Sequence, residues 1–303
     1  MQFFPKKLSQ IYLVLFVSAF LTITGNFTFF QKTLLVYPLS ENWLFLGSLF
    51  FFLFTFLAAL LLLFCYRVTT KPILIALLMI SAIVSYSTNN YGIVFDHNMI
   101  LNTFETDTSE FLDLVSFKSI LYFFIFGLLP SIFVLKVKLI KISFKAQLWE
   151  RIKTFLVLVI IFVIIVLTFS KHYSSFAREN RDLRLYITPT YYLYSATKFV
   201  DSKFATSTKP FKEIGLDAKL NKKSDKRRLV ILVLGETARA DHMSINGYDL
   251  KTNPNLEQEE IISFDKMTSC GTDTALSVPC MFSLLDRSSY NHAKGKNMSN
   301  VLD

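Results

Sequence analysis

Residues 155–169 read FLVLVIIFVIIVLTF, an apolar run whose only polar side chain is one threonine. The run is rich in β-branched residues, which favour strands, but it is far longer than the roughly 5–6 residues of an ordinary strand. In lipid, only a helix or a closed barrel satisfies every backbone N–H and C=O group. The segment 152–170 that contains the run is therefore predicted to be a membrane-spanning helix.

Four further segments of the N-terminal half are long and apolar enough to cross a bilayer. They are residues 11–31, 43–66, 72–91 and 119–139. None of the five segments carries a charge in its interior, which argues against a channel, pump or ion-coupled transporter, because those proteins use ionisable groups within the membrane. No A-x-A cleavage site follows the first segment, so it is predicted to be a retained anchor.

The overall composition agrees with a membrane protein. Hydrophobic residues make up 52% of the 303 residues, 32 of them phenylalanine, and the mean hydropathy is +0.42. The net charge of +9 does not indicate nucleic-acid binding, because the excess of Lys and Arg lies mainly in the gaps between the apolar segments of the first 171 residues. The excess of Lys and Arg is better explained as a signal for the orientation of the spans across the membrane.

The loops between the predicted spans differ in their content of Lys and Arg. The segments before span one, between spans two and three and between spans four and five carry ten of these residues, and the other two loops hold only Lys32 and Lys118. Because cytoplasmic loops are enriched in Lys and Arg, the N-terminus is predicted to be cytoplasmic. Five spans then place residue 172 onward on the outer side of the membrane, which in a bacterial cell is the periplasm.

Three domains follow from this arrangement. Residues 1–171 form a five-span transmembrane domain. Residues 172–228 form a tyrosine-rich helix at the membrane surface and a Lys-rich linker. Residues 229–303 begin an α/β domain, because the continuous apolar run LVILVL at 229–234, closed by Gly235, is typical of a central parallel strand.

Glu236 follows the predicted strand directly. Catalytic and ligand-binding groups of open α/β sheets lie outside the carboxyl ends of the strands, so this carboxylate is placed to hold a cation. Position alone leaves a second interpretation open, in which Glu236 stabilises the first turn of the next helix through the helix dipole.

Cys270 and Cys280 flank a segment with two threonines and one serine, CGTDTALSVPC. If this half of the chain is extracytoplasmic, a disulfide can form between them, whereas Cys65 at the end of an apolar run is expected to stay free. A threonine hydroxyl becomes a nucleophile when a metal or base lowers its pKa, and a closed loop at the start of a helix would hold it there. The alternative is a structural disulfide with ordinary loop hydroxyls.

Asn102, Thr106 and Glu110 lie between spans three and four at a spacing that puts them on one face of a helix. Such a polar face just above the bilayer can hold a zwitterionic lipid head group, or it can simply be solvated.

Three motifs in this order resemble the phosphoethanolamine transferases, the enzymes that modify lipid A or the lipopolysaccharide core and that include the mobile colistin-resistance transferases. The motifs are LVLGETARADHMSINGY at 232–248, TNPNL at 252–256 and SCGTDTALSVPCMFSLL at 269–285. The five-span N-terminal half resembles the same family, so the resemblance covers nearly the whole chain.

The resemblance implies a periplasmic catalytic domain of the alkaline-phosphatase/sulfatase type that contains zinc. By position, Glu236 matches an acidic zinc ligand, and Thr274 matches the zinc-bound nucleophile that accepts phosphoethanolamine from phosphatidylethanolamine. Cys270 and Cys280 match a family disulfide.

The resemblance also implies the partners. Asn102, Thr106 and Glu110 match positions implicated in holding the lipid substrate. The expected donor is phosphatidylethanolamine, and the expected acceptor is lipid A or the lipopolysaccharide core. We expect a monomer among membrane lipids that binds no nucleic acid.

One departure from the family is a missing Asp-His pair, which completes the zinc site near the end of a domain of more than about 300 residues. The sequence stops at Asp303, so the catalytic domain is expected to be incomplete and the 303-residue chain to have little activity. The alternatives are an inactive membrane fragment and another superfamily enzyme, such as a sulfatase or a glycerol-phosphate transferase. A sulfatase needs a C/S-x-P-x-R sequence, and the stretch Ser277-Val-Pro-Cys280 lacks the arginine.

Overall fold

The computed structural model describes residues 7–105, 115–140, 142–204, 212–217, 219, 229–235, 238–264, 266–272 and 274–290. By their internal contacts the residues divide into two compact units, Met1–Phe204 and Ala205–Asp303. The first unit is helical and carries the apolar segments. The predicted boundaries at residues 171 and 228 stay predictions.

The first predicted span is a bent pair of helices. α1 (Gln10–Gly25) and α2 (Phe27–Val36) meet at Asn26 with an angle of 57°. The Asn26 Nδ2 donates to the carbonyl of Thr188 at 2.8 Å, and its Oδ1 accepts from the N–H of Thr188 at 2.9 Å. The span predicted at 11–31 is therefore bent: the buried Asn26 bonds to the backbone of a distant residue at the point where the helix breaks.

Four longer helices are each apolar enough to cross a membrane by themselves. They are α3 (Leu39–Phe64), α4 (Thr70–Tyr91), α6 (Phe117–Lys136) and α7 (Phe144–Thr168), and the short α5 (His97–Glu105) lies between α4 and α6. With the bent pair counted as one span, the described residues contain up to five spans, as the sequence predicts. The chain is a membrane protein.

The ends of these helices have identifiable local causes. α4 ends at Gly92, whose φ of +68° is the left-handed conformation that glycine adopts at little cost, and the Gly92 N–H donates to the carbonyl of Thr88. α6 begins with a capping box between Ser116 and Ser119. Within α6, the π-helical turn Phe124–Leu128 includes Gly127, where an added Cβ would lie 3.1 Å from Ala82 of α4.

A buried apolar cluster joins α1, α3 and α4. Its buried members include Leu13 and Val14 of α1, Leu57 and Leu61 of α3, and Leu74 and Leu78 of α4. Half of the most apolar stretch of α3 and of α4 is buried, against 11% for α7. The exposed apolar side chains of α7 therefore suit contact with lipid.

The chain continues after α7 with α8 (Ser170–Glu179), a 3-10 turn at Arg181–Tyr186 and α9 (Thr190–Phe204). Tyr192 of α9 is buried in the first unit, where its hydroxyl lies 3.2 Å from the hydroxyl of Ser81 in α4. This tyrosine is therefore packed against the bundle, while Tyr194 is half exposed.

In the second unit, the described residues form short 3-10 turns and one helix, α10 (Thr274–Met281). The strand predicted at 229–234 is wrong for this structure: the segment is irregular, and the side chains of Leu229, Val230 and Val233 are each at least 85% exposed. A parallel strand needs neighbours for its N–H and C=O groups, and no described segment pairs with this one.

Candidate functional site

Thr274 is the first residue of α10 and is solvent-exposed. The first backbone N–H groups of a helix have no partner within the helix, so a hydroxyl at this position lies beside donors that suit a phosphate group. All of the helix except Met281 lies within a closed loop, because a disulfide joins Cys270 to Cys280 with their Cα atoms 6.3 Å apart. The predicted disulfide is present, and Cys65 is a free, buried cysteine as expected.

Close packing shapes the inside of this loop. Gly271 stands directly against Leu276 of α10, and a Cβ at position 271 would collide with that leucine side chain. Cys280 is also buried. The glycine after the first cysteine therefore lets the loop fold tightly onto the helix that begins at Thr274.

The segment after α10 is ordered by hydrogen bonds to one carboxylate. Asp286 accepts from the backbone N–H of Ser289 at 2.7 Å and from the hydroxyl of Ser288 at 2.9 Å. These hydrogen bonds to the charged form lower the pKa of the Asp286 carboxyl. Arg287 reaches back to the hydroxyl of Thr268 at 3.3 Å, so the residues on both sides of the disulfide loop are linked.

The first motif contributes a small charged cluster. Arg239 donates to the Asp241 carboxylate at 2.6 Å and 3.0 Å, and the Asp241 carboxylate also lies 3.1 Å from the His242 Nδ1. The Arg239 guanidinium, with the His242 ring second, holds the pKa of the Asp241 carboxyl well below its usual range. The His242 ring packs against Tyr248 at 4.8 Å between ring centres.

The TNPNL motif holds the first motif in place. Thr252 donates to the carbonyl of His242 at 2.8 Å and accepts from the N–H of Ser244 at 3.0 Å. Asn253 and Ser244 exchange hydrogen bonds of 3.1 Å in both directions between side chain and backbone. Residues 252–253 thus supply hydrogen-bond partners for the His242 carbonyl and the Ser244 N–H in the turn at 242–244.

Glu236, the predicted metal ligand, lies outside the described residues, so the structure gives no distance between Glu236 and Thr274. Within the described part of the chain, no group of three or more His, Cys, Asp and Glu side chains could hold a metal ion. The described residues therefore do not supply the three protein ligands that catalytic zinc sites use.

Of the three predicted lipid-binding positions, the structure describes one. Asn102 lies half-buried in α5, and Thr106 and Glu110 lie outside the described residues. The helix is anchored at its start, where Asp96 accepts from the N–H of Met99 at 2.8 Å, and at its end, where the Phe104 ring stacks on Phe199 of α9 at 5.2 Å. Asn102 is thus carried on a short helix packed against α9.

The sequence analysis missed a polar cluster at the end of α4. Lys118 of α6 donates to Asn90 at 2.6 Å, and Asn89 donates to the hydroxyl of Tyr122 at 3.3 Å. The sequence alone identified Lys118 only as a topology marker. The signal that would have revealed the cluster is the pair of asparagines at 89–90, two amides at the end of an otherwise apolar span.

Two family models match the chain. A model described as phosphoethanolamine transferase EptA/EptB matches residues 53–204, and a model described as sulfatase matches residues 228–303. The first match covers 152 of the 303 residues and contains the helices α4 to α9, while the second covers the segment with the disulfide loop.

Individual proteins agree with the family matches. The phosphatidylethanolamine transferase Mcr-1 of Escherichia coli is 39% identical over 99% of this chain and 57% of its own length. The phosphoethanolamine transferase EptA of Escherichia coli K12 is 30% identical over 96% of this chain and 54% of its own length. The chain thus spans about half the length of these curated relatives.

One solved structure has the same architecture along the chain. It is the integral membrane protein lipooligosaccharide phosphoethanolamine transferase A (EptA) from Neisseria meningitidis, with a TM-score of 0.88 and 29% sequence identity. The match covers 99% of this chain and 56% of the solved chain.

Proposed function

Because the chain belongs to the EptA/EptB family of phosphoethanolamine transferases, we propose that it is the membrane-anchored part and the start of the catalytic part of an enzyme that transfers phosphoethanolamine from phosphatidylethanolamine to lipid A or the lipopolysaccharide core. The observation that carries the proposal is the position of Thr274. This residue is exposed on the first turn of α10, inside the loop closed by Cys270 and Cys280.

The proposed reaction has two displacements. First, Thr274 Oγ attacks the phosphorus of phosphatidylethanolamine; the bond from phosphorus to the glycerol oxygen breaks, and diacylglycerol leaves with the threonine proton. Second, an oxygen of the acceptor lipid attacks the same phosphorus and loses its proton, the bond to Thr274 Oγ breaks, and the hydroxyl is restored. The N–H groups at the start of α10 favour the negative charge on the phosphoryl oxygens.

Zinc remains part of the proposal, with Glu236 and Thr274 as two of its ligands. A bound zinc ion would lower the pKa of the threonine hydroxyl and polarise a phosphoryl oxygen. Since the described residues do not provide a complete ligand set, no step above depends on the metal. The ligand proposal is tested by zinc content: Glu236→Ala should lower it relative to Glu213→Ala, a glutamate outside the motifs, and equal content would refute the assignment.

For the substrate, we propose that Asn102, Thr106 and Glu110 contact the phosphatidylethanolamine head group at the membrane surface. The Asn102 amide can donate to a phosphate oxygen, and the Glu110 carboxylate can pair with the ammonium group. The enzyme would act as a monomer in the bacterial inner membrane, since donor and acceptor lipids lie in the same plane as its anchor.

The transfer proposal is tested with phosphatidylethanolamine carrying a fluorescent acyl chain, whose product is fluorescent diacylglycerol. Because the chain spans about half the length of its relatives, the assay is run on the 303-residue chain and on a version continued with the remaining part of an EptA relative. In the active version, Thr274→Ala should abolish turnover, and Thr272→Ala, two residues away in the same loop, should retain it. The opposite pattern would move the nucleophile to Thr272.

The proposed orientation has its own test. Alkaline phosphatase fused after residue 205 should be active, because that site would be periplasmic, and a fusion after residue 145 should be silent. The reverse pattern would place the catalytic segment in the cytoplasm and contradict the proposed function, because its lipid acceptor would be on the other side.

A sulfatase is the weaker candidate, although the sulfatase model matches residues 228–303. In the C/S-x-P-x-R pattern, the arginine position after Ser277 and Pro279 is occupied by Met281. No arylsulfate hydrolysis is expected from either version of the chain.

A further inference from the structure

A cavity of about 1050 Å³ opens at the end of the helix bundle where α1 and α7 begin. Its lining includes five cationic residues from three separate segments: Lys7, Arg67, Lys71, Lys136 and Lys138. No Asp or Glu is among the lining residues that the structure describes. The positive-inside pattern alone requires cations in these loops, but it does not require that their side chains share one cavity.

A chain of buried side chains forms the floor of this basic cavity. Gln10 and Gln147 are 7% and 8% exposed and are hydrogen-bonded to each other. Gln10 also donates to the carbonyl of Cys65 at 2.8 Å and to the hydroxyl of Thr70. The floor thus ties α1, α4 and α7 together, and its polar groups are satisfied without a ligand.

Arg67 is held at the mouth of the cavity by this floor. Its Nε donates to the Gln147 Oε1 at 3.0 Å, and a terminal nitrogen donates to the carbonyl of Ile142 at 3.3 Å. A guanidinium has five N–H donors, so most remain for other partners. The backbone of Arg67 has a φ of +34°, a strained conformation for a residue with a side chain.

The opposite wall is fixed by backbone pairing. Leu8 forms a parallel bridge with Leu139: the Leu8 N–H donates to the Lys138 carbonyl at 3.0 Å, and the Ile140 N–H donates to the Leu8 carbonyl at 3.0 Å. The pairing brings Lys7 next to the segment that carries Lys138. No ion pair among the described residues neutralises Arg67, Lys71 or Lys138.

From this geometry, we propose that the basic cavity binds the phosphate of an anionic phospholipid head group. Arg and Lys groups that converge from several segments match phosphate oxygens, and basic pockets at the ends of transmembrane helices bind acidic head groups. The binding is distinct from the transfer chemistry and does not depend on it. Its assignment to the cytoplasmic leaflet follows from the proposed orientation.

The lining also favours a lipid over a soluble phosphate. Exposed apolar side chains border the cations: Val68 is 85% exposed, Leu135 58% and Ile140 46%. These residues continue from the ends of spanning helices, so an acyl chain can lie against them while the phosphate meets the cations. The ammonium group of zwitterionic phosphatidylethanolamine would be repelled by the cations of the cavity. We therefore expect anionic phosphatidylglycerol to bind in preference to phosphatidylethanolamine.

The test uses native mass spectrometry of the 303-residue chain in detergent with equal amounts of phosphatidylglycerol and phosphatidylethanolamine. Phosphatidylglycerol should remain bound in preference, and the variant Lys7→Gln/Lys138→Gln should bind it about 30-fold more weakly, because each cation near an anionic lipid contributes roughly a factor of five. The matched control is Lys145→Gln/Lys153→Gln, which removes two cations of the same face outside the cavity and should bind as the unmodified protein does.

Equal weakening in both variants would show a general effect of surface charge and would overturn the proposal, as would no weakening in either. Inorganic phosphate that displaces the lipid at low millimolar concentration would reassign the cavity to a soluble ligand. A second measurement needs no variant: phosphatidylglycerol with a photoreactive head group, used on the unmodified protein in vesicles, should label peptides containing residues 65–71 and 135–140. Labelling confined to other segments would overturn the proposal.

Discussion

The apolar part of α3 and the run at 229–234 are both rich in leucine but have opposite surroundings. In α3, Leu57 and Leu61 are each 3% exposed and pack against α1 and α4. In the second unit, Leu229 is 86% exposed and no described segment pairs with the run. Similar hydrophobicity has thus produced a packed helix in one place and an exposed irregular segment in the other.

The difference lies in the backbone. A helix satisfies its own N–H and C=O groups, so α3 needs only a neighbour or lipid for its side chains. A parallel strand depends on N–H and C=O groups supplied by other segments, often distant in sequence. The sequence of an apolar run is therefore not enough to make it a strand, because the run also needs neighbouring strands to pair with.

The largest expected effect lies in the packed unit. Leu78→Ala removes a fully buried side chain from the cluster of α1, α3 and α4, and it should lower the free energy of unfolding of the helical unit by about 2–5 kcal/mol. The measurement is unfolding in mixed micelles, followed by far-UV circular dichroism.

The matched substitution is Leu229→Ala, at an 86% exposed position of the unpaired run. It should change the same free energy by less than about 0.5 kcal/mol. Equal effects at the two leucines would contradict the contrast between a packed and an unpacked apolar segment.

The length of the apolar runs predicted the first unit well, because each span carries its own signal. The α3, α4, α6 and α7 segments each contain a long apolar stretch, and its length distinguishes them from strands. The bend at Asn26 was not predictable, since its cause is a hydrogen-bonded pairing with Thr188, 162 residues away. The wrong prediction of a strand at 229–234 has the same cause. Whether this run forms a strand depends on partner segments elsewhere in the chain, and the run itself does not reveal them.

The second-largest effect concerns the covalent loop that orders part of the second unit. Cys270→Ser/Cys280→Ser should lower the free energy of local opening of residues 266–290 by about 3 kcal/mol, the chain-entropy value for a loop of this length. The expected observation is faster amide hydrogen exchange in that segment.

The control for the cysteine change is Cys65→Ser, which replaces a free cysteine in the other unit and should leave exchange at 266–290 unchanged. Non-reducing peptide mapping should find Cys270 joined to Cys280, with Cys65 unmodified by thiol reagents in the native protein. Unchanged exchange in the double variant would show that packing around Gly271 and Leu276, and not the disulfide, holds the loop.

The candidate site was predictable where motifs are local. Thr274, Cys270 and Cys280 lie within eleven residues, and the structure places them in one closed loop with Thr274 at the start of a helix. The basic cavity was not predictable, because its cations come from three separate segments whose approach depends on the bridge at Leu8 and on the buried pair Gln10 and Gln147. A sequence reveals the number of such charges and not their convergence.

A smaller effect is expected at the bend between α1 and α2. Asn26→Leu leaves the buried N–H and carbonyl of Thr188 without their partner, which should lower the free energy of unfolding of the helical unit by about 2 kcal/mol. Asn42→Leu is the matched control, because the Asn42 amide makes one exposed bond to the Pro38 carbonyl. A similar loss of stability in both variants would show that the tie to Thr188 does not stabilise the bend.

The smallest effect belongs to the exposed cluster of Arg239, Asp241 and His242. The Arg239 guanidinium lowers the pKa of the Asp241 carboxyl in the folded chain, so its contribution to stability is present above the ordinary Asp value of about 3.9 and is lost as the pH falls through the lowered pKa. Stability near neutral pH should therefore hardly change in Asp241→Asn, since the pair is solvent-exposed.

The shift in the pKa of Asp241 is measurable by carbon NMR of labelled aspartates: the Asp241 carboxyl should titrate below the ordinary value and return toward it in Arg239→Gln. Lys251→Gln, which removes a cation of the same unit that forms no described ion pair with Asp241, should leave that titration in place. If the titration is the same in Arg239→Gln as in the unmodified protein, the ion pair does not persist in solution, and the second unit would then be ordered mainly by its disulfide and by the side-chain hydrogen bonds of Thr252 and Asn253.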